Sequence, residues 1–153
     1  MLACEPLARG RLKCIVPETH PLARQTRVAA HAIVRFPLIG VDPNDPYGQI
    51  MAGVFASNAL PYEVTIQARF GSTVCALVSL GLGIAIVDEF TLAAEQWPRL
   101  RALDIVEPTT FQTYVIHRKD AALSTYATRF VSTLRSEMEA VARQRGRRKI
   151  TSR

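Results

Sequence analysis

Ser72 and Thr73 stand side by side just ahead of Val74, Leu77 and Val78, whose spacing is helical. Hydroxyls at a helix start can serve in two ways. They can cap the unpaired N–H groups there, or join those groups in holding a small anionic or polar ligand. Tyr47 and Gly48 occupy a similar place, closing the turn-rich stretch that begins at Asp42 and leading into a helical run over residues 49–58 with Ile50, Val54 and Phe55 inward. Asp42 and Asp45 can equally well cap turns there, and Tyr47 can cover the core edge. Asp88 and Phe90 follow the apolar run 84–87 and make a third such position.

Arrangements that would point to catalysis fail on spacing. Gly81 and Gly83 follow a helix, whereas a dinucleotide fingerprint needs its glycines between a strand and the helix they precede. No Walker lysine motif occurs, and residues 70–74 lack the flanking glycines of a nucleophile elbow. Asp88 and Glu89 are adjacent and would point apart. His20, before Pro21, has no carboxylate or Cys at ligand spacing and reads as a turn residue, while His117 reads as a solvated strand end. Cys4, Cys14 and Cys75 are odd in number, widely spaced and set among apolar residues, which argues against a disulfide framework or a zinc site. Cys75 is expected to pack as a small hydrophobe. The chain is therefore expected to be non-catalytic, with no metal and no cofactor.

The elements that must position these residues alternate. A strand over 11–16 is closed by Pro17, and prolines at 17 and 21 stiffen the next connector. A weak helix is expected over 24–35, a strand over 36–41, the helix over 49–58, and a strand over 63–70. The helix from Ser72 ends at Gly81 and Gly83, where positive φ is needed, and a buried strand over 84–87 follows. A short helix over 89–95, strands over 100–106 and 111–118, and an amphipathic helix from about 120 to 140 complete the order. The last helix carries an apolar stripe of Leu123, Tyr126, Ala127, Phe130, Val131, Leu134 and Met138. This alternation with short loops predicts an α/β sheet, and its helix starts lie at the carboxyl edge of the strands, where ligands collect.

Hydrophobic residues make up 48% of the 153 and charged ones 21%, an ordinary balance for a folded chain of one core or one lobe and part of another. No apolar run is long enough to span a bilayer, and the first residues lack the basic and apolar regions of a secretory signal. A cytoplasmic protein without membrane contact is expected. The net charge of +6 is concentrated at the end. Six of the 19 cationic residues lie from Arg143 onward, leaving 13 against 13 acidic residues. Residues 141–153 thus read as a solvated, disordered basic tail, with weak salt-sensitive DNA binding as a secondary property.

Three stretches carry a family resemblance: residues 10–23, with Gly10-Arg-Leu-Lys-Cys-Ile-Val-Pro; residues 36–40, Phe-Pro-Leu-Ile-Gly; and residues 76–87, Ala-Leu-Val-Ser-Leu-Gly-Leu-Gly-Ile-Ala-Ile-Val. Together they resemble the effector-binding domain of LysR-type transcriptional regulators, and the helix with Ser124 and Phe130 resembles that domain's last helix. The resemblance implies a periplasmic-binding-protein-like (type II) α/β fold of two subdomains joined by crossover strands. A small effector, an organic acid or amino-acid-like metabolite, binds between them and modulates transcription.

On that reading, residues 1–9 are the crossover segment, 10–107 the second subdomain with a mixed sheet flanked by helices, and 108–140 the returning strand and helix of the first. Most of the first subdomain and the amino-terminal winged helix-turn-helix domain are expected to be missing, so DNA contact would come only through the missing part. The expected effector contacts are Ser72 and Thr73 first, then Tyr47 and Gly48, then Asp88 and Phe90, all from their placement at strand ends. The expected partners are a small-molecule effector and further copies in a homo-oligomer, or a full-length regulator. The alternative is a stand-alone solute-binding or oligomer-interfering module. With most of the first subdomain missing, the stripe on the last helix would lack its usual packing partners, and each large apolar side chain left exposed forgoes about 1.5–3 kcal/mol. Such a helix is expected to fold back, swap into a neighbour or be poorly ordered.

Overall fold

The computed structural model describes residues 1–148, with side chains to residue 143, as two compact units: Met1–Gly10 with the chain from Thr110 onward, and Arg11–Thr109. Strands and helices alternate as an α/β fold requires, apart from residues 24–35. The second unit is built on a sheet of order β2-β6-β1-β5-β3-β4. Its strands are β1 (Leu2–Pro17), β2 (Arg27–Val28), β3 (Leu38–Gly40), β4 (Val64–Gln67), β5 (Ile84–Asp88) and β6 (Leu100–Ile105). β5, β3 and β4 run parallel, whereas β1 is antiparallel to both β5 and β6, so the sheet is mixed. The crossover from β4 to β5 passes over β3, which lies between them.

The centre of this sheet is buried on both faces. Cys14, Ile15 and Val16 on β1 are wholly inaccessible, and every residue of β5 is buried. Strand alternation sorts these side chains. Ala85 and Val87 join Ile15 and Ile39 under Val74, Cys75 and Val78 of α3 (Gly71–Ser79), while Ile84 and Ile86 point to the opposite face. Trp97, the one tryptophan, packs half-buried against the α3 cluster.

The end of α3 is set by Gly81 at φ +79°. The Gly81 N–H reaches the Val78 carbonyl (2.9 Å) and the Leu82 N–H the Leu77 carbonyl (3.4 Å), the paired bonds of a Schellman cap. Gly83 answers a different need, since a Cβ there would lie 2.6 Å from the Pro37 carbonyl oxygen.

Residues 24–35 depart from the expected helix. They form the end of a 3-10 turn (Pro21–Arg24), strand β2 and a four-residue helix, α1 (Ala30–Ile33). Pairing with β6 offers Arg27 and Val28 ladder hydrogen bonds that a short helix with few apolar positions does not match. Ala29, at the start of α1, has no capping side chain of its own. The Ala30 N–H instead donates to both carboxylate oxygens of Glu107 (2.9 and 3.0 Å), and Asn58 Nδ2 donates to the same group at 3.1 Å.

In the other unit the first part of β1 pairs with β7 (Thr110–Arg118). Thr113 Oγ1 accepts from the Ala8 N–H (3.1 Å) and donates to the Ala8 carbonyl (2.8 Å). Helix α5 (Thr125–Arg148) is anchored by Arg135, whose Nη1 donates to the Pro6 and Leu7 carbonyls, both at 2.8 Å. α5 continues past residue 140, where the apolar stripe led the sequence reading to stop. Ala140 and Ala142 favour helix, and Glu139 pairs with Arg143 at 3.7 Å one turn on. Residues 149–153, the end of the expected basic tail, lie outside the described residues. The first part of the stripe is left open, with Tyr126 86% and Phe130 66% exposed, while Val131, Leu134 and Met138 are half-buried; Tyr114 and Ile116 on β7 are also exposed by more than half. No helix among the described residues is long and apolar enough to cross a membrane.

Candidate functional site

The parallel strands β5, β3 and β4 end at Asp88, Gly40 and Gln67, and the helices α2 (Pro46–Ala56), α3 and α4 (Glu89–Ala94) start beyond them. α2 begins three residues earlier than expected, because Asp45 caps it and Pro46 supplies a preset first helical residue. Asp45 Oδ1 accepts the Tyr47 N–H at 2.8 Å, and the loop before it is closed by Asp42, whose Oδ1 accepts the Asn44 N–H at 2.9 Å. Gly48 lets this loop lie directly on the helix, since a Cβ there would meet the Asp42 carbonyl oxygen at 2.0 Å.

A pocket of about 640 Å³ opens at this edge. Val41, Asp42, Asp45 and Tyr47 line one side, and Gln67, Ala68 and Arg69, where β4 ends, line the other. The volume is in the range of small-molecule sites. Val41 and Ala68 give it a buried apolar floor, and the Ala68 N–H is held by the Gly40 carbonyl at 2.8 Å. The Arg69 guanidinium lies over the Phe70 ring, 5.9 Å from its centroid.

Beside the pocket, the Tyr47 hydroxyl donates to Asp88 Oδ2. Asp88 is 7% exposed and caps α4. Its Oδ1 accepts the Thr91 N–H (2.9 Å) and its Oδ2 the Thr91 hydroxyl (2.6 Å). Burial, and then the negative charge of Asp88, raise the Tyr47 phenol above its ordinary range, so it stays protonated and donates. Gly71 completes the cluster, because a Cβ there would come within 2.9 Å of the Thr91 side chain. The starts of α2, α3 and α4 are thus linked through Tyr47, Asp88, Thr91 and Gly71.

Sequence reasoning placed Tyr47, Asp88 and Ser72 at one sheet edge, and the fold puts them there. Only Tyr47 of the six expected contacts lines the pocket. Asp88 sits behind it, Gly48 is buried under the loop, and Phe90 is half-buried in α4. Ser72 and Thr73 are exposed, but neither caps α3: the cap position is Phe70, which has no capping side chain, and Gly71 is already helical. Gly71 lies close against Thr91, where an added Cβ would come within 2.9 Å of its side chain. Gln67 and Arg69 were missed because the strand was expected to run to Phe70, which would have made them strand interior. A lone cation just ahead of Gly-Ser-Thr was the available signal.

The remaining histidines and cysteines take no part in the pocket. His20 Nδ1 accepts the Leu22 N–H (3.2 Å), and His117 lies 3.2 Å from Glu5. Cys75 is wholly buried. Its thiol is pushed up to about 11 by burial and by the charges of Asp88 and Glu95. Among the described residues no three His, Cys, Asp or Glu side chains converge as metal ligands would.

Residues 1–139 match the family model of the LysR substrate binding domain. The HTH-type transcriptional regulator YbhD of Escherichia coli K12, itself uncharacterised, is 29% identical over 116 residues, covering 75% of this chain and 37% of that protein. The effector-binding domain of QuiR in complex with shikimate superposes with a TM-score of 0.71 at 20% identity, over 91% of this chain and 66% of that one. The regulatory domain of Synechocystis PCC6803 CcmR in complex with 2-PG gives a TM-score of 0.72 at 21% identity, over 90% and 67%. The chain spans less than half the length of the curated relatives it matches.

Proposed function

Because the chain belongs to the LysR substrate-binding domain family, we propose that it is the effector-sensing portion of a transcriptional regulator. It is non-catalytic, works in the cytoplasm, and binds a small metabolite, an organic acid or amino-acid-like compound, at the carboxyl edge of β3, β4 and β5. The observation that carries this reading is the pocket beside Tyr47, which has an apolar floor, a fixed phenol and an Arg at its rim. Tyr47 and Arg69 are assigned direct contact. Gly48 and Asp88 shape the wall, and Ser72, Thr73 and Phe90 face the same edge from α3 and α4. The shikimate and 2-PG bound by QuiR and CcmR support a small polar effector. The experiment is a screen of small acids and amino acids by thermal unfolding, read through Trp97 fluorescence. A saturable rise in Tm that is lost in Arg69→Gln supports the assignment. A rise unchanged in both Arg69→Gln and Tyr47→Phe removes the pocket from the site.

A second reading follows from the open face of Tyr114, Ile116, Tyr126 and Phe130. A patch of this kind marks an interaction surface, so the chain also serves as a module that joins a homo-oligomer or associates with a full-length regulator. Sedimentation addresses this: a monomer at all concentrations, alone and mixed with a full-length regulator of the family, would discard it.

A further inference from the structure

The pocket holds three charged side chains, and their arrangement bears on what it takes. Asp42 and Asp45 stand on the α2 side and Arg69 on the β4 side, for a formal balance of one negative charge. Each carboxylate has one oxygen engaged, Asp42 Oδ1 by the N–H and Nδ2 of Asn44 and Asp45 Oδ1 by the Tyr47 N–H. Their second oxygens bond to no other described residue, and neither Asp is ion-paired with Arg69 or with any other cation among the described residues. Among the described residues, Arg69 meets the face of Phe70. Among the described residues, opposite charges thus share one pocket without pairing, and the two carboxylates, both exposed, lie three residues apart.

Given that this pocket is the effector site, as proposed above, we infer that its ligand is a zwitterion with a free α-ammonium group, an amino acid and not a simple diacid. The ammonium faces the second oxygens of Asp42 and Asp45, and its three donors suit two acceptors on one wall. The ligand carboxylate faces Arg69, whose planar donors match it in a bidentate pair. A diacid would bring two negative charges to a pocket already negative in balance, with one cation to receive them. The buried methyl and isopropyl groups of Ala68 and Val41 leave an apolar floor for the aliphatic part of the ligand.

The test is thermal unfolding of the chain, read by Trp97 fluorescence, with four probes: L-alanine, L-lysine, cadaverine and succinate. A ligand that binds only the folded form raises Tm in a concentration-dependent way. L-lysine or L-alanine is expected to raise Tm saturably and succinate to leave it unchanged. Asp42→Asn with Asp45→Asn keeps the turn and the helix cap, because Asn serves both, and is expected to weaken amino-acid binding at least tenfold. Arg69→Gln is expected to weaken amino-acid binding while leaving any cadaverine response in place. A response to succinate equal to or above that of the amino acids overturns the ligand class and leaves the pocket as an effector site. Amino-acid binding unchanged in the Asn pair overturns the assigned contacts. No response to either amino acid overturns this inference, while the pocket as an effector site stands or falls on the wider screen of small acids and amino acids described above.

Discussion

The Tyr47 hydroxyl donates to the carboxylate of Asp88, 41 positions away, and so ties the first turn of α2 to the cap of α4. Removing the hydroxyl by Tyr47→Phe leaves Asp88 its two bonds from Thr91 and is expected to cost about 0.5–1.5 kcal/mol. Asp88→Ala removes the cap and strands the buried phenol, so about 2–3 kcal/mol is expected. Urea unfolding followed by Trp97 fluorescence gives both values. The pH dependence has a definite sign. Tyr47 releases its proton less readily in the folded chain than at its ordinary value of 10.0, chiefly from burial and then from Asp88. Its contribution is whole below that pH and falls away as the pH rises further. The stability gap between the native chain and Tyr47→Phe should therefore close above pH 10 and stay constant from pH 7 to 9.

The three thiols should separate cleanly by reactivity. Cys4 is exposed, whereas Cys14 and Cys75 are buried, and burial raises their thiols to about 12 and about 11. The thiolate is the reactive form. An aromatic disulfide reagent at pH 8 is expected to titrate one thiol promptly in the folded chain and all three in denaturant. Prompt reaction of Cys75 would mean that α3 is not packed as described.

Two glycines should differ in what their replacement costs and why. Gly48→Ala drives a methyl to 2.0 Å from the Asp42 carbonyl oxygen, a backbone atom that cannot turn away, so a loss above about 3 kcal/mol is expected. Gly81 has open space where its Cβ would be but a φ of +79°, so Gly81→Ala should cost only about 1–2 kcal/mol. Gly81→Asn should recover part of that, because Asn tolerates this conformation. Equal losses at both positions would contradict the assignment of crowding to one and strain to the other.

The open apolar face of α5 predicts a separation of stability from association. Tyr126→Ser with Phe130→Ser removes side chains that are 86% and 66% exposed, so the change in unfolding free energy should stay within about 0.5 kcal/mol. Self-association, measured by sedimentation at increasing concentration, should fall. A loss of several kcal/mol without any change in association would show that this face is covered within the chain.

The parts of this molecule that depend on neighbours in sequence were legible. The apolar run at 84–87 became β5, the Gly81 stop became a Schellman cap, and the amphipathic stripe became α5. The sheet edge that carries the pocket followed from strand and helix alternation alone. Contacts between distant residues were not legible. Nothing near Ser72 signals that Thr91 packs against Gly71, and nothing near Tyr47 names Asp88 as its partner. Residues 24–35 were misjudged for the same reason, because β6 supplies a pairing edge that only the folded sheet contains. Arg69 was hidden by an error of a few residues in where β4 ends, and those residues decide whether a side chain belongs to the sheet or to the pocket.

Glu107, which holds the Ala30 N–H 77 positions earlier in the chain, has a consequence for the order of assembly. During synthesis Ala30 leaves the ribosome long before Glu107 exists, and α1 has neither a capping side chain of its own nor the length to persist alone. The strand β2 beside it waits equally, since its pairing partner β6 ends at Ile105. This corner of the molecule is therefore closed last, by a carboxylate that arrives with the final residues of its own unit, and a ribosome paused before Glu107 would display it open.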